Sequence, residues 1–238
     1  MSGNLYLVSI PIGATDDLTI RAREVLGQVD FVIGEEGDTT DRFLKSLRLS
    51  KEIMLLNEHN EKREVDRILG FIRQGQSAAL ISDCGTPVLA DPGHLLVQKA
   101  IGADIALIPI PGASSILAAL VVSGFPMHKW YYRGFLSPKA DMRKKDLLNL
   151  REETLVSIIM ETPYRLEQLL SDMEEILGRE RVMALCWQLT EKDESVVRGT
   201  IPEVRMEVRK KGWKKGEFVI VLSGADRPDA KAERALKE

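Results

Sequence analysis

"SAALISDCGTPVLADPGHLLVQKA" (77–100) holds, in order, a strand, an unusually rich turn and a helix. Residues 77–82 (SAALIS) read as a short buried strand. Residues 93–101 (GHLLVQKAI) read as a helix with Asp91 at its cap and Pro92 in its first turn, where the missing N–H of proline costs nothing. A bare strand-to-helix connector needs roughly two to six residues. This one carries Gly85, Pro87 and a pair of aspartates, Asp83 and Asp91, and it is over-built for a connection. Such a turn implies a backbone shaped to receive something.

The same alternation runs outward on both sides. Residues 4–10 (NLYLVSI) and 30–34 (DFVIG) read as strands, and 19–26 (TIRAREVL) as a helix capped by Thr19. Residues 60–75 are the clearest helix: Asn60 caps it, Val65, Ile68, Leu69 and Ile72 recur at helical spacing, and Gly75 ends it. Residues 105–110 (IALIPI) form a further strand, followed by a helix from Ala113 to Gly124. Strands separated by helices predict right-handed βαβ units and a parallel sheet. The rhythm breaks at 125–136 (FPMHKWYYRGFL), aromatic-rich and read as an edge or hairpin strand. Beyond it come a strand at 154–160 and a helix at 163–178 with an apolar stripe of Leu166, Leu169, Leu170, Met173 and Leu177. Strands at 181–189 and 217–224 follow, then a polar tail from Ala225 that is expected to fray. The predicted class is α/β, with two α/β domains. Residues 1–111 form the first, a mostly parallel sheet with flanking helices; residues 112–238 form the second, a mixed sheet with helices.

The 238 residues are 44% hydrophobic and 29% charged, an ordinary balance for a soluble globular protein. No apolar run approaches the roughly 20 residues that span a bilayer. The opening "MSGNLYLVSI" lacks the basic start and long apolar core of a secretion signal. Cys84 and Cys186, without metal-ligand neighbours, fit a reducing cytoplasm and no structural disulfide. A net charge of -3 argues against coating nucleic acid through global electrostatics. Two local basic stretches remain, 133–145 (RGFLSPKADMRKK) and 205–215 (RMEVRKKGWKK). Each reads as a solvated helix face or loop, or else as a patch for a phosphate-bearing substrate.

In an open α/β sheet, ligands bind outside the carboxyl ends of the strands. Three glycine- and proline-bearing loops fall at such ends: 9–19 (SIPIGATDDLT), 82–93 (SDCGTPVLADPG) and 110–115 (IPGASS). Singly, each also reads as a plain turn or helix start. Glycine lets a ligand touch the main chain, because no Cβ intervenes. The helix start at Ala113, with Ser114 and Ser115 beside it, suits a carboxylate. Neither a G-x-G-x-x-G nor a G-x-x-x-x-G-K-[ST] pattern occurs, so pyrophosphate is not the favoured guest. His59, His94 and His128 are scattered, and no metal site is inferred.

Taken in order, "PIGATDDLTIRA", "SDCGTPVLADPG", "PIPGASS" and "METPYR" resemble the tetrapyrrole methylase superfamily. The likeness is strongest to its members that methylate a ribose 2′-hydroxyl of small-subunit ribosomal RNA, through "LYLVSIPIG", "NEHNE", "RGFL", "VVRGT" and "KGEFVIV". It runs from about Leu5 to Val221. The resemblance implies S-adenosylmethionine in a cleft between two α/β domains, with ribosomal RNA or the small ribosomal subunit as partner. It also implies a homodimer without membrane attachment. Pro11 and Gly13 would wall one side of the cofactor. Asp83, Cys84, Gly85, Thr86 and Pro87 would pass along its methionine part. Gly112, Ser114 and Ser115 would approach from the domain junction, and the second domain would close over the adenosine near Glu161, Thr162 and Arg165. Two segments depart from the ribosomal members' pattern. Residues 34–47 keep Glu35 and Glu36 but have Gly-Asp where Thr-Arg is expected, and 137–145 is less basic than usual. Both are candidate RNA contacts.

A ribose hydroxyl needs to lose its proton, so a general base would help. The candidates are Glu58 and His59 in "NEHNE" and Glu161 in "METPYR". Against these stand plainer readings: His59 merely precedes a helix, and Glu161 hydrogen-bonds the backbone or pairs with Arg165. Two other functions stay open: a methyltransferase of the same fold acting on a tetrapyrrole or another small molecule, and a non-catalytic module that binds the cofactor.

Overall fold

The computed structural model describes residues 2–225; the fraying expected beyond Ala225 lies outside the described residues. The chain separates into two compact units, Met1–Ser114 and Ser115–Glu238.

The first unit is built on five strands: β1 (Leu5–Val8), β2 (Phe31–Gly34), β3 (Glu52–Leu55), β4 (Ala78–Leu80) and β5 (Leu107–Ile110). Their order is β3-β2-β4-β1-β5, and every pairing is parallel. Successive strand side chains point to opposite faces, and each face carries its own core. Phe31, Ile33, Ala78 and Leu80 face α3 (Glu61–Arg73) and α4 (His94–Gly102). Val32, Ala79 and Ile81 face α1 (Ile20–Gln28) and α2 (Gly37–Ser46). The predicted stripe of α3 is buried in full. Thr19 caps α1 by accepting from the Ala22 amide at 3.1 Å.

Two expected caps are corrected. Asn60 stands at the start of α3, but its side chain turns back: Oδ1 accepts from the Asn57 amide at 2.8 Å, and Nδ2 donates to the Leu55 carbonyl at 3.1 Å. It closes the turn after β3 instead of the helix end. Asp91 and Pro92 do not open α4. Gly93, at φ +125°, is the cap residue, and Glu61 of α3 accepts from the Gly93 and Leu95 amides at 2.9 and 3.3 Å. A carboxylate from another helix satisfies amides that sequence logic gave to a local aspartate.

The second unit opens with α5 (Ser115–Ser123), two residues later than the expected start at Ala113. Its sheet has the order β6-β7-β10-β8-β9: β6 (Trp130–Phe135), β7 (Val156–Met160), β8 (Val182–Trp187), β9 (Ser195–Thr200) and β10 (Phe218–Leu222). β6 is an edge strand as expected, but it is no hairpin. It runs parallel to β7, reached through α6 (Ala140–Arg151), while the other pairings are antiparallel. The sheet is therefore mixed, and the α/β class of both units stands. α7 (Leu166–Leu177) follows a 3-10 turn at Pro163–Arg165 and buries Leu166, Leu169, Leu170 and Met173. α8 (Ile201–Lys211) begins with a reciprocal cap between Thr200 and Glu203. Neither Cys84 nor Cys186 is in a disulfide among the described residues. Burial pushes the Cys186 thiol up to about 12, and it donates to the Ala119 carbonyl at 3.7 Å. Among the described residues no helix is long and apolar enough to cross a membrane.

Candidate functional site

The neighbours β4, β1 and β5 are parallel, so their carboxyl ends share one edge of the sheet. The three loops singled out from the sequence leave from that edge, and they are laced together. Gly85 accepts from the Ile10 amide at 2.8 Å and donates its own N–H to the Pro11 carbonyl at 3.3 Å. The Ser9 amide donates to the Ile110 carbonyl at 3.1 Å. The Thr86 hydroxyl donates to the Ala113 carbonyl at 3.1 Å. Its one proton is thereby used, so the Ser9 hydroxyl, 3.0 Å away, donates to Thr86. One chain of hydroxyls thus spans all three loops.

The turn after β4 is held from below. Ser82, buried, shares its one hydroxyl proton between the carbonyls of Cys84 at 2.8 Å and Gly85 at 3.3 Å. Gly85 has φ +74°, and a Cβ there would lie 3.2 Å from Ile12 Cγ2. A Cβ on Gly112 would lie 3.0 Å from Ser9 Cβ and 3.2 Å from the Ser9 carbonyl. At both positions glycine permits the close approach of two loops.

Pro11, Gly85 and Pro87 are buried, Gly13 and Ser114 half-buried, and Asp83, Cys84, Thr86 and Gly112 exposed. Glu58 and His59 are exposed in the turn after β3. Ser115, half-buried, is the first residue of α5 in the second unit. In that unit Glu161 follows β7 and is buried, with Thr162 half-buried beside it. Glu161 Oε1 accepts from the Thr162 amide at 2.7 Å and pairs with Arg165. That is the plainer of the two sequence readings. Oε2 of Glu161 and Nε of Arg165 nevertheless stay buried without hydrogen-bond partners.

Ser9, Ser82 and Ile12 support the loops and escaped the list of site residues. Ser9 and Ser82 each follow a buried apolar strand by one or two residues, which is where a hydroxyl can tie down the outgoing loop. A second feature also went unread. Glu35, in a segment named above as a candidate RNA contact, lies among carboxylates beyond β2, β3 and β4. Burial, then the charges of Asp91, Asp83, Glu36 and Glu58, raise its pKa above the ordinary 4.5. Burial raises Asp91 and Asp83 above 3.8, with the charge of Asp83 adding to the first and that of Glu36 to the second; a hydrogen bond from the Glu36 main chain opposes the rise at Asp83. Among the described residues no three acids, histidines or cysteines gather as a metal-ligand set.

These raised values carry a pH dependence. Each carboxyl holds its proton more tightly in the folded chain than in the unfolded one. Its stabilising contribution is complete below the ordinary value and is lost as pH rises through the raised one. Glu35→Gln is expected to raise the melting temperature at neutral pH by about 1–2 °C, with the gain shrinking toward pH 4. Calorimetric melts across that range check it; a gain that grows on acidification contradicts the sign.

Residues 4–205 match the family of Tetrapyrrole (Corrin/Porphyrin) Methylases. Proteins named ribosomal RNA small subunit methyltransferase I from Micromonospora olivasterospora and Xylella fastidiosa are 39% and 36% identical over 99% and 96% of this chain, covering 75% and 84% of their own lengths. That of Thermotoga maritima is 35% identical over 94% of this chain and all of its own. In solved structures the fold recurs in a cobalamin biosynthetic enzyme, cobalt precorrin-4 methyltransferase, at a TM-score of 0.68 and 16% identity over 92% of this chain and 94% of that one. It recurs again in uroporphyrin-III-C-methyltransferase from Thermus thermophilus, at 0.62 and 18% over 93% and 94%. The laced sheet edge, the two α/β units and a family match over residues 4–205, reaching into both units, lead to one conclusion: the chain belongs to the tetrapyrrole methylase family and is a methyltransferase.

Proposed function

We propose that this methyltransferase takes its methyl group from S-adenosylmethionine and delivers it to a ribose 2′-hydroxyl of small-subunit ribosomal RNA. The laced loops beyond β1, β4 and β5, set beside a field of carboxylates, carry this assignment. S-adenosylmethionine bears a sulfonium and an ammonium. Glu35, Asp83 and Asp91 suit such a cation and repel the pyrophosphate of a dinucleotide. The glycines serve the same surface: Gly85 and Gly112 let neighbouring loops close up against each other without a Cβ between them. Pro11, Gly13, Asp83, Cys84, Gly85, Thr86, Pro87 and Gly112 would hold the cofactor, with Ser114 and Ser115 at its carboxylate. Thr162, of the second unit, completes the set proposed for the cofactor. The cofactor supplies, when bound, a methyl already activated by positive sulfur.

The chain's own work is then alignment, which contributes roughly 7–11 kcal/mol in well-oriented reactions, and removal of the hydroxyl proton, a further gain of about 10²–10⁴-fold. Glu58 and His59, exposed and open to an RNA, are the proposed proton acceptors, with Glu161 the third candidate. The names of the relatives support ribosomal RNA as substrate. A cytoplasmic place, where small subunits are found, follows from that substrate, and a homodimer from the family likeness.

Two measurements test the assignment. Titration calorimetry with S-adenosylmethionine tests the cofactor. Labelled methyl transfer to small subunits from cells lacking the protein, followed by mapping to the ribose, tests the substrate. A protein that binds the cofactor yet leaves no label on the RNA overturns the substrate.

A further inference from the structure

The basic stretch 205–215 is less uniform in the fold than in the sequence. Arg205 is bound to Glu167 and Glu174, Arg209 to Glu167, and Lys210 to Glu207. Among the described residues, Lys211, Lys214 and Lys215 form no ion pair. These three lysines line an open groove of about 720 Å³ in the second unit, together with Trp187, Trp213, Asp193 and Glu194.

The groove is built, and not a chance gap between side chains. Gly212, at φ +67°, ends α8 and reverses the chain, and the Trp213 amide donates back to the Val208 carbonyl at 3.2 Å. Trp213 then stacks on Trp187, with centroids 4.6 Å apart and planes within 3°. Trp187 in turn stacks on Phe218. A Cβ at Gly216 would overlap the Trp187 ring, so the Lys214–Lys215 turn lies against the aromatic stack only because residue 216 is glycine. Lys211 sits over the Trp213 ring at 5.1 Å. The indole is thus half-buried at the end of a rigid stack, with the Lys211 ammonium over its ring. Backbone strain marks the lining as well: Gln188 has φ +43°.

We propose that this groove takes a single-stranded segment of the substrate RNA, its phosphates along Lys211, Lys214 and Lys215 and an unpaired base against Trp213. An aromatic platform among lysines is the arrangement that tracks a strand without reading its sequence. Asp193 and Glu194 repel phosphate, so the backbone keeps to the lysines. Glu194 keeps one oxygen on the Thr190 amide at 2.6 Å, and the remaining carboxylate acceptors suit the exocyclic amino groups of bases. The groove's role rests on the ribosomal assignment above.

The test is the triple variant Lys211→Gln, Lys214→Gln, Lys215→Gln, assayed beside wild type. The expected result is unchanged S-adenosylmethionine affinity, a KM for small subunits raised about tenfold near 0.1 M salt, and a parallel loss of affinity for protein-free small-subunit RNA. The slope of log Kd against log salt for that RNA should fall by about 2, at roughly 0.7 for each lost single-strand phosphate contact. A KM within twofold of wild type and an unchanged slope overturn the groove while the ribosomal assignment stands. Loss of affinity for intact subunits alone, with protein-free RNA bound as before, overturns it in favour of an acidic protein partner. Failure of wild type itself to methylate subunits overturns the assignment beneath it.

Discussion

Gly85→Val is expected to weaken S-adenosylmethionine binding by at least about 100-fold while leaving most of the chain folded. Both peptide groups of residue 85 are committed. Its carbonyl receives the Ile10 amide and the Ser82 hydroxyl, and its N–H meets the Pro11 carbonyl. At φ +74° a side chain costs about 1–2 kcal/mol, and a β-branched one more. The new Cβ would also stand 3.2 Å from Ile12 before the valine methyls are counted. The strained turn relaxes by moving away from the loop after β1, and main-chain atoms that face the ligand move with it. A displacement worth about 2.7 kcal/mol of binding gives the hundredfold loss. Gly85→Ala, free of branching, is expected to lose roughly tenfold. Calorimetric titration, with circular dichroism as the fold check, decides the matter. A folded Gly85→Val protein that binds within threefold of wild type removes this turn from the cofactor site.

What made that turn visible in the sequence was excess. Gly85, Pro87 and their neighbours far exceed what a connector needs, and the flanking apolar runs fixed its place at a strand end. The parallel sheet was legible for the same reason, because β1, β2, β4 and β5 are short and apolar with periodic helices between them. β3 and α2 were not read. β3 is an edge strand with Glu52 and Leu55 exposed, and its brief apolar run, Ile53 to Leu56, lacks the alternation and turn signals that announce a strand. α2 opens on Gly-Asp-Thr-Thr, residues that favour turns, and is held by Thr40 and Leu44 buried beneath it. α6 was hidden in the same way, since its basic run masked Leu147 and Leu150. Within the site, the loops were legible and their lacing was not. Whether the Ser9 hydroxyl meets Thr86 depends on β1 and β4 being neighbours, which only the sheet order decides. The carboxylate field was lost likewise, because Glu35, Asp83 and Asp91 come together only when β2 and β4 pair.

Asp172→Ala is expected to be the most damaging single change to the second unit, through a pair that the sequence did not mark. Arg143 of α6 and Asp172 of α7 are both buried, at 4% and 2% exposure, and meet at 2.7 Å. The second carboxylate oxygen of Asp172 accepts from Gln168 at 2.9 Å. Arg143 also donates to the carbonyls of Ser137 and Pro138, at 3.4 and 3.3 Å, and so pins the segment between β6 and α6. Arg143 is therefore spent inside the fold and does not belong to an RNA-facing patch. Removing the carboxylate leaves a guanidinium in an apolar interior with no counter-charge, which costs about 3–5 kcal/mol. For a unit of this size the melting point should drop by roughly 10 °C. All three tryptophans, Trp130, Trp187 and Trp213, lie in this unit, so fluorescence-detected urea unfolding reads its stability separately from the first. The double variant Arg143→Met with Asp172→Leu removes both charges together and should regain most of the loss, because paired deletion leaves nothing buried and unpaired. If Asp172→Ala costs less than about 1 kcal/mol, water reaches the guanidinium and the pair is not the dry anchor its burial implies.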